Sequence, residues 1–323
     1  MSAITRFGLF VFAALFIACA GWAQDFPKKS VRVVAPFSPG GATDVLARLV
    51  GQKLAERWGH VAMIDNRVGA GGHIGADYVA KSAPDGYTLL VAGTPHVIGA
   101  SLYKKLTYDM MRDLTPINRF ATYPSAIAVH PSLPVKTVKE LIALAKAHPG
   151  ELNFGSAGSG SPNHLAMELF KSMGKVKMVH IPYKGGSGQM VSDLLAGHVQ
   201  LASIGLPPAM PFVKTGRLRV LAVTGARRSP LLPDEPTVSE AGLPGFEVTS
   251  WYGMFAPAGL PTDILKKLNQ DIAAVLAAPD LVKRLASLGA DPAPLSPEDF
   301  RTFVHDEIAK WAKVVKESGA RVD

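Results

Sequence analysis

Three glycine-rich stretches each follow an apolar run and open a helical pattern, and they are the part of the chain best suited to chemistry. They are Pro36-Phe-Ser-Pro-Gly-Gly-Ala-Thr-Asp44, Gly155-Ser-Ala-Gly-Ser-Gly-Ser-Pro-Asn-His164 and Tyr183-Lys-Gly-Gly-Ser-Gly-Gln189. Glycine lets backbone amides come close to a guest. The helix that follows leaves its first N–H groups unpaired and carries about half a positive charge at that end, so each junction is suited to an anion. No Arg lies in any of the three, and Lys184 is their one Lys, which is sparse for phosphate. Glycine amides (Gly40, Gly41, Gly158), serine hydroxyls (Ser38, Ser156, Ser159, Ser161) and Asn163 suit a planar carboxylate better, with water filling gaps. Any one loop alone also reads as an ordinary strand-to-helix turn; three together favour a ligand.

Other chemistries find little support. The P-loop pattern is missing; Gly158-Ser-Gly-Ser-Pro-Asn163 ends in Asn where a dinucleotide fingerprint needs Gly, and Gly69-Ala-Gly-Gly-His-Ile-Gly75 is wrongly spaced. No serine sits in Gly-x-Ser-x-Gly, and the histidines form neither His-x-His nor His-Glu-x-x-His, so neither an acyl-transfer nucleophile nor a metal site is indicated. His164 and Glu168, four apart on a helix, read as packing beside the loop. Asp44 and Asp193 pass for a carboxylate pair, but each reads better as capping its own loop or orienting water. Trp251 and Tyr252 either line a cleft or fill the core, and the core is preferred. No cofactor and no metal are expected.

The elements that position these loops alternate as in parallel sheets covered by helices. Val31–Phe37 reads as a buried strand and Thr43–Trp58 as a helix; Val61–Asp65, Thr88–Ala92 and Ile117–Phe120 continue the strands. A second unit starts at Ser125–Val129. A capping box at Thr137–Glu140 opens a helix to His148. Strands Leu152–Ser156, Lys177–Ile181, Leu201–Ile204 and Leu218–Thr224 then alternate with helices Ser161–Met173 and Gly188–Ala196 and a short one from Pro207. Pro and Gly crowd residues 229–259, which read as loops around a capped turn (Thr237–Glu240) and a strand, Ser250–Ala256. Helices Thr262–Ala277 and Pro297–Ser318 finish the chain. The last has Ser296 as N-cap, and its apolar face (Phe300, Phe303, Val304, Ile308, Trp311, Val315) is expected to dock on the first unit.

The expected architecture is α/β, two lobes joined by two crossings near Phe120–Ser125 and Thr224–Arg228, with a ligand cleft between them. The first lobe comprises residues 24–122 plus 226–323 and the second 123–225. Two independent units joined by the Pro/Gly stretch are the alternative.

Composition narrows the function classes. The chain has 323 residues, 48% of them apolar and 19% charged, so it is neither disordered nor fibrous. One cysteine excludes a disulfide scaffold, and a net charge of +8 without a run of Lys/Arg argues against a nucleic-acid groove. Residues 1–23 read as a secretory signal peptide: a charge at Arg6, the apolar run Phe7–Ala20, then Gly21-Trp-Ala23 before a cut at Gln24. Phe16-Ile-Ala-Cys19 offers a competing reading, a lipoprotein box in which Cys19 is acylated and retained. The expected location is periplasmic.

Seven motifs in fixed order resemble the extracytoplasmic solute receptors of tripartite tricarboxylate transporters, the Bug family. They are Pro36–Asp44, Asn66-Arg-Val-Gly-Ala-Gly-Gly72, Pro84-Asp-Gly-Tyr-Thr-Leu-Leu90, Gly155–Ser161, Pro182-Tyr-Lys-Gly-Gly186, Asp193-Leu-Leu-Ala-Gly-His-Val199 and Ala256-Pro-Ala-Gly-Leu-Pro261. The resemblance implies a type II periplasmic-binding-protein fold that closes on a carboxylate. It implies that Phe37 and Ser38 face the cleft in the first loop (Phe37–Asp44) and that the counterpart loop is Ser156–Asn163. Thr94 and His96 would complete the first-lobe wall, and Tyr183 and Asp193 would orient ligand or water. His96 departs from the small or polar residue usual there, which makes it a specificity candidate, with a surface histidine after a strand as the alternative reading. The implied partners are a small carboxylate and the membrane permease subunits, with a sensor kinase as a further candidate. The rival reading is a periplasmic enzyme acting on a carboxylated substrate.

Overall fold

Val31–Ala35 (β1) is buried along its length except at Arg32, as a parallel strand covered on both faces requires. It lies between Ala62–Asn66 (β2) and Thr88–Gly93 (β3), parallel to both. The computed structural model describes residues 26–40, 42–183 and 187–320; the expected leader with Cys19, Gly41 and residues 184–186 lie outside the described residues. Helices α1 (Ala42–Trp58), α2 (His73–Ala80) and α3 (Thr94–Leu102) connect or follow these strands.

The fourth strand, β4 (Leu114–Val129), is 16 residues long and runs through both halves of the molecule. The rest of the second half alternates α4 (Val138–Ala147), β5 (Asn153–Ser156), α5 (Pro162–Gly174), β6 (Val179–Pro182), α6 (Ser187–Leu195), β7 (Leu201–Gly205), α7 (Leu206–Lys214) and β8 (Arg219–Val223). The chain then returns through β9 (Thr249–Pro257), α8 (Thr262–Leu276), α9 (Pro279–Ser287), a two-residue β10 (Asp291–Pro292) and α10 (Pro297–Ser318). The first half has strand order β2-β1-β3-β9-β4, with β9 antiparallel to both neighbours. The second runs β4-β7-β5-β6, with β8 on the other side of β4.

Two expected strands, Ile117–Phe120 and Ser125–Val129, are thus one. Pro124 reads as a boundary in sequence because it cannot donate to a ladder. In the structure it marks a handover: Pro124 opposite Thr249 is the last pair with β9, and Ser125 opposite Gly205 opens the pairing with β7. The second crossing lies beside it, between β8 and β9. The Pro/Gly-rich stretch is no free linker: it folds back so that the Val238 amide bonds the Val223 carbonyl at 2.9 Å, and Phe246 packs edge-on against Phe170 at 6.4 Å. The expected capped turn forms there, with the Glu240 amide on Thr237 Oγ1 and the Thr237 amide on the Glu240 carboxylate. At the other expected box Glu140 reaches one residue further back, to the Lys136 amide.

Helices α2, α3 and α9 are absent from the sequence reading. The first two are rich in glycine, histidine and β-branched residues of low helix propensity, and tertiary packing overrides it. Trp251 and Tyr252 are buried in the core. In α10, Phe300, Val304, Trp311 and Val315 are buried. The helix lies on α3 and β4, and it also reaches α5, where Ser172 Oγ donates to Glu317 at 3.2 Å.

Candidate functional site

The loop after β1 is closed by its own carboxylate. Asp44 is buried, and its oxygens accept from the Gly40 amide (2.9 Å), Arg48 Nε (3.0 Å) and Asn66 Nδ2 (3.0 Å). Burial works to raise the Asp44 pKa, but the bonds from Arg48, Gly40 and Asn66 outweigh it and hold the carboxyl below its usual range. Asn66 also donates to the Phe37 carbonyl at 3.0 Å, so β2 holds the shape of the β1 loop. Asp44 is therefore committed to the protein. Ser38 is exposed and has no hydrogen-bond partner among the described residues.

The loop after β5 has the same logic with different parts. Ser156 Oγ, fully buried, accepts from the Gly158 amide at 3.1 Å and lies 2.6 Å from His180 Nε2. The Ser161 hydroxyl caps α5 through the His164 amide, and the Gly160 amide donates to His164 Nδ1 at 3.0 Å. Asn163 donates to the Ser203 carbonyl at 2.7 Å. Gly158 and Gly160 take φ of 113° and 76°, a region that disfavours other residues. Between them Ser159 is exposed, and neither its amide nor its hydroxyl has a partner among the described residues. Each loop thus offers one free serine. Tyr183 donates to Asp193 at 2.8 Å; burial first, then that carboxylate, push its pKa up to about 12.

Helix α3 touches both loops. Its His96 ring meets Phe37 edge-to-face at 6.0 Å, while Leu102 packs so close to the second loop that a Cβ on Gly160 would lie 2.0 Å from its Cδ2. Thr94, buried at the first turn, accepts from the Trp251 amide at 3.0 Å and so ties α3 to β9. His96 is 1% exposed; Nδ1 accepts from the Gly93 amide at 3.3 Å, and Nε2, which lies against Gly72, makes no hydrogen bond of full geometry among the described residues. Burial, helped by the neighbouring His73, pulls its pKa down to about 3 against the pull of the Gly72 and Gly93 backbone, so the ring is neutral. The approach at Gly72 is tight: a Cβ there would meet His96 Nε2 at 2.9 Å and Phe37 Cζ at 3.1 Å.

Several neighbours escaped the sequence reading. His73 packs on His96 with ring centroids 5.5 Å apart, and Tyr103 and Tyr108 pack on His73 in turn; His73 Nδ1 lies 2.8 Å from the Tyr108 hydroxyl, and its ring is 4.9 Å from that of Tyr103. In the second half His164 stacks on His180 at 3.8 Å. The Gly69–Gly75 run signalled a tight turn here, but nothing in it signalled rings from two later segments.

The Ser156–His180 contact is the feature an enzyme reading would use. The hydroxyl is fully buried, and Glu168, the carboxylate of that cluster, bonds His164 (3.5 Å) and Lys171 (2.7 Å) rather than His180. A Ser-His-carboxylate relay is therefore not assembled. Among the described residues no group of three His, Cys, Asp or Glu could hold a metal, and no helix is long and apolar enough to cross a membrane.

The family described as "Tripartite tricarboxylate transporter family receptor" matches residues 46–320. The chain belongs to this family. The receptor is 38% identical to protein BugT of Bordetella pertussis over 315 residues, 95% of this chain and 96% of that one. Among solved structures, Rpa4515 of R. palustris, determined with adipate, matches with a TM-score of 0.80 and 42% identity over 92% of this chain and 99% of its own. MatC (Rpa3494) of Rhodopseudomonas palustris, with bound malate, matches with a TM-score of 0.75 and 35% identity over 90% and 100%. The receptor's fold is that of the periplasmic solute-binding proteins of this family, two α/β lobes joined by two crossings.

Proposed function

We propose that the receptor captures a small carboxylate between its two lobes in the periplasm and delivers it to the membrane permease of a tripartite tricarboxylate transporter, without altering it chemically. One observation carries the reading: α3 lies against both glycine loops, and each loop presents one exposed serine, Ser38 and Ser159, without a hydrogen-bond partner among the described residues. The remaining polar atoms of the two loops are largely occupied in holding their own shape, as at Asp44 and Ser156. What they leave, two hydroxyls and the Ser159 amide, can all donate to a carboxylate. Ligand held by both lobes would favour the closed arrangement, because only differential contact shifts a population. That the structures of Rpa4515 and MatC contain adipate and malate is consistent with this class.

The lobes would be residues 24–122 plus 226–323 and residues 123–225, and the leader 1–23 would be removed on export. A thermal-shift panel of mono-, di- and tricarboxylates, with the recovered acid analysed by mass spectrometry, tests the reading. An acid at 100 times its dissociation constant adds about 2.7 kcal/mol, a visible shift. The expected result is stabilisation with the acid unchanged. Turnover of the acid would make the protein an enzyme, and no shift with any acid would remove the ligand class.

A further inference from the structure

The chain's positive charge is shared unevenly. Residues 123–225 carry ten Lys or Arg against four Asp or Glu and so hold +6 of the net +8. The topology gathers five of these cations at one end of the second half. Strands β5, β6 and β7 run parallel, and β7 and β8 both run antiparallel to β4. The second glycine loop leaves β5 at its C-terminal end, Ser156, so the N-terminal ends of β5 to β8 make up the opposite face. Lys175 and Lys177 lie just before β6, Lys214 and Arg217 just before β8, and Lys146 in the last turn of α4. The Gly150 amide donates to the Lys177 carbonyl at 3.0 Å, which brings the end of α4 to the start of β6.

All five are exposed, and none has an acidic partner among the described residues. Arg217 rests over the Phe212 ring, 5.6 Å from its centre. Glu151 shares the face but pairs with His148 at 3.2 Å, and Glu317, which α10 brings to α5, is held by Ser172 at 3.2 Å. Lys146, Lys175 and Lys214 stand at helix C-termini, where a cation is favoured. That field fades within a turn and does not reach Lys177 or Arg217. Among the described residues the large apolar side chain exposed at this face is Val179, whereas protein partners are held by clusters of aromatic and apolar anchors. Four of the five cations are Lys, a hydrated point charge rather than the planar fork that pairs with a single carboxylate. Spread over strand ends about 4.8 Å apart, they match diffuse negative charge better than one acidic group.

We propose that this face adsorbs the receptor on a bilayer bearing anionic phospholipid, with Lys146, Lys175, Lys177, Lys214 and Arg217 against the headgroups and the second glycine loop turned away from them. The inference rests on the periplasmic location proposed above and is independent of the ligand. Adsorption confines the receptor to the membrane that would hold its permease.

Vesicle flotation of the mature chain tests it, with phosphatidylglycerol mixed into phosphatidylcholine and with phosphatidylcholine alone. The chain should float with the mixed vesicles at low salt, stay behind with the neutral ones, and be released by high salt, which screens exposed charges. A basic residue near an anionic surface raises binding about fivefold. Lys146→Glu, Lys177→Glu and Lys214→Glu together should therefore lower affinity for the mixed vesicles at least tenfold, with the melting temperature and acid-induced stabilisation unchanged. Lys266→Glu, Lys283→Glu and Arg284→Glu, an equal change of charge on exposed residues elsewhere, should lower it less than threefold. Equal losses in the two triple variants would overturn the assignment to this face. Flotation with neither lipid would overturn the membrane partner in favour of an acidic protein, and either failure leaves the carboxylate reading standing.

Discussion

Ser125 and Thr224, 99 positions apart in the chain, are bonded to each other through both backbone and side chain. The Thr224 amide donates to the Ser125 carbonyl at 2.8 Å, and the Thr224 hydroxyl accepts the Ser125 amide at 2.9 Å. The same hydroxyl lies 2.6 Å from the Val248 carbonyl, and the Val248 amide returns a bond to Thr224 at 2.8 Å. The middle of β4, the end of β8 and the start of β9 are therefore stitched together by one fully buried side chain. A jaw needs its crossings to bend together, and a shared pin makes the two crossings one hinge.

Removing the pin should cost stability. Thr224→Val keeps the shape but leaves the Ser125 amide and Val248 carbonyl without their partner, a loss of about 1–3 kcal/mol. Denaturant unfolding should show a lower midpoint for Thr224→Val and a near-normal one for Thr224→Ser. An unshifted midpoint in the valine variant would show that the backbone bonds suffice.

The second loop should fail without unfolding. Gly158 has φ of 113°, and the nearest atom to a Cβ added there, the Tyr183 carbonyl oxygen, would be 3.9 Å away. The obstacle to a side chain is therefore backbone strain, and any bulk would project into open space. Gly158→Val should abolish acid-induced stabilisation while the ligand-free protein still melts cooperatively. Retained acid binding in this variant would refute the role given to the Ser159 turn.

Three histidines make stability fall in mild acid. Burial pulls His73 to about 4; burial and then His73 pull His96 to about 3; burial and then His164 pull His180 to about 4. Each folded value lies below the unfolded value of about 6.5, so the folded state binds fewer protons between them. The stability they contribute is present above about pH 6.5 and is lost as pH falls toward 4, by up to about 1.4 kcal/mol per pH unit for each group. Urea midpoints at pH 8 and pH 5 should differ in that sense, and His96→Gln should flatten the slope. Equal midpoints would mean that the rings are solvated in solution.

What the sequence shows plainly is what short-range chemistry decides. Ser161 and Ser296 cap their helices because a hydroxyl needs only an amide three residues away. Asp44 closes its own loop for the same reason. The glycine pattern locates both loops, and the alternation of strands and helices fixes the fold class. The His73–His96–Tyr103 cluster is illegible because its members come from two segments whose meeting depends on how α2 and α3 pack, and both helices are poor helix formers in isolation. Pro124 misleads for a related reason: its missing N–H signals an end, whereas the partner strand changes there and the strand itself continues.

The last helix owes its place to a carboxylate that serves two indoles. Glu307 on α10 is 7% exposed, and its Oε2 accepts from Trp251 Nε1 of β9 at 3.0 Å and from Trp311 Nε1 at 3.1 Å, while Oε1 pairs with Lys310 at 3.0 Å. Replacing Glu307 by Leu strands two N–H groups in the core, each worth about 1–3 kcal/mol. Glu307→Gln retains a carbonyl oxygen that can accept from both indoles but gives up the pairing with Lys310, whose side chain is a third exposed. If indole acceptance is the main contribution, the glutamine variant should unfold close to wild type, within about 1 kcal/mol because water can reach the Lys310 ammonium it leaves, and the leucine variant well below it. Equal losses in the two would transfer the effect to the charge. Because α10 packs on α3 and reaches α5, the leucine variant should also weaken acid binding beyond its loss of stability, a second readout taken by calorimetry at a temperature where both variants remain folded.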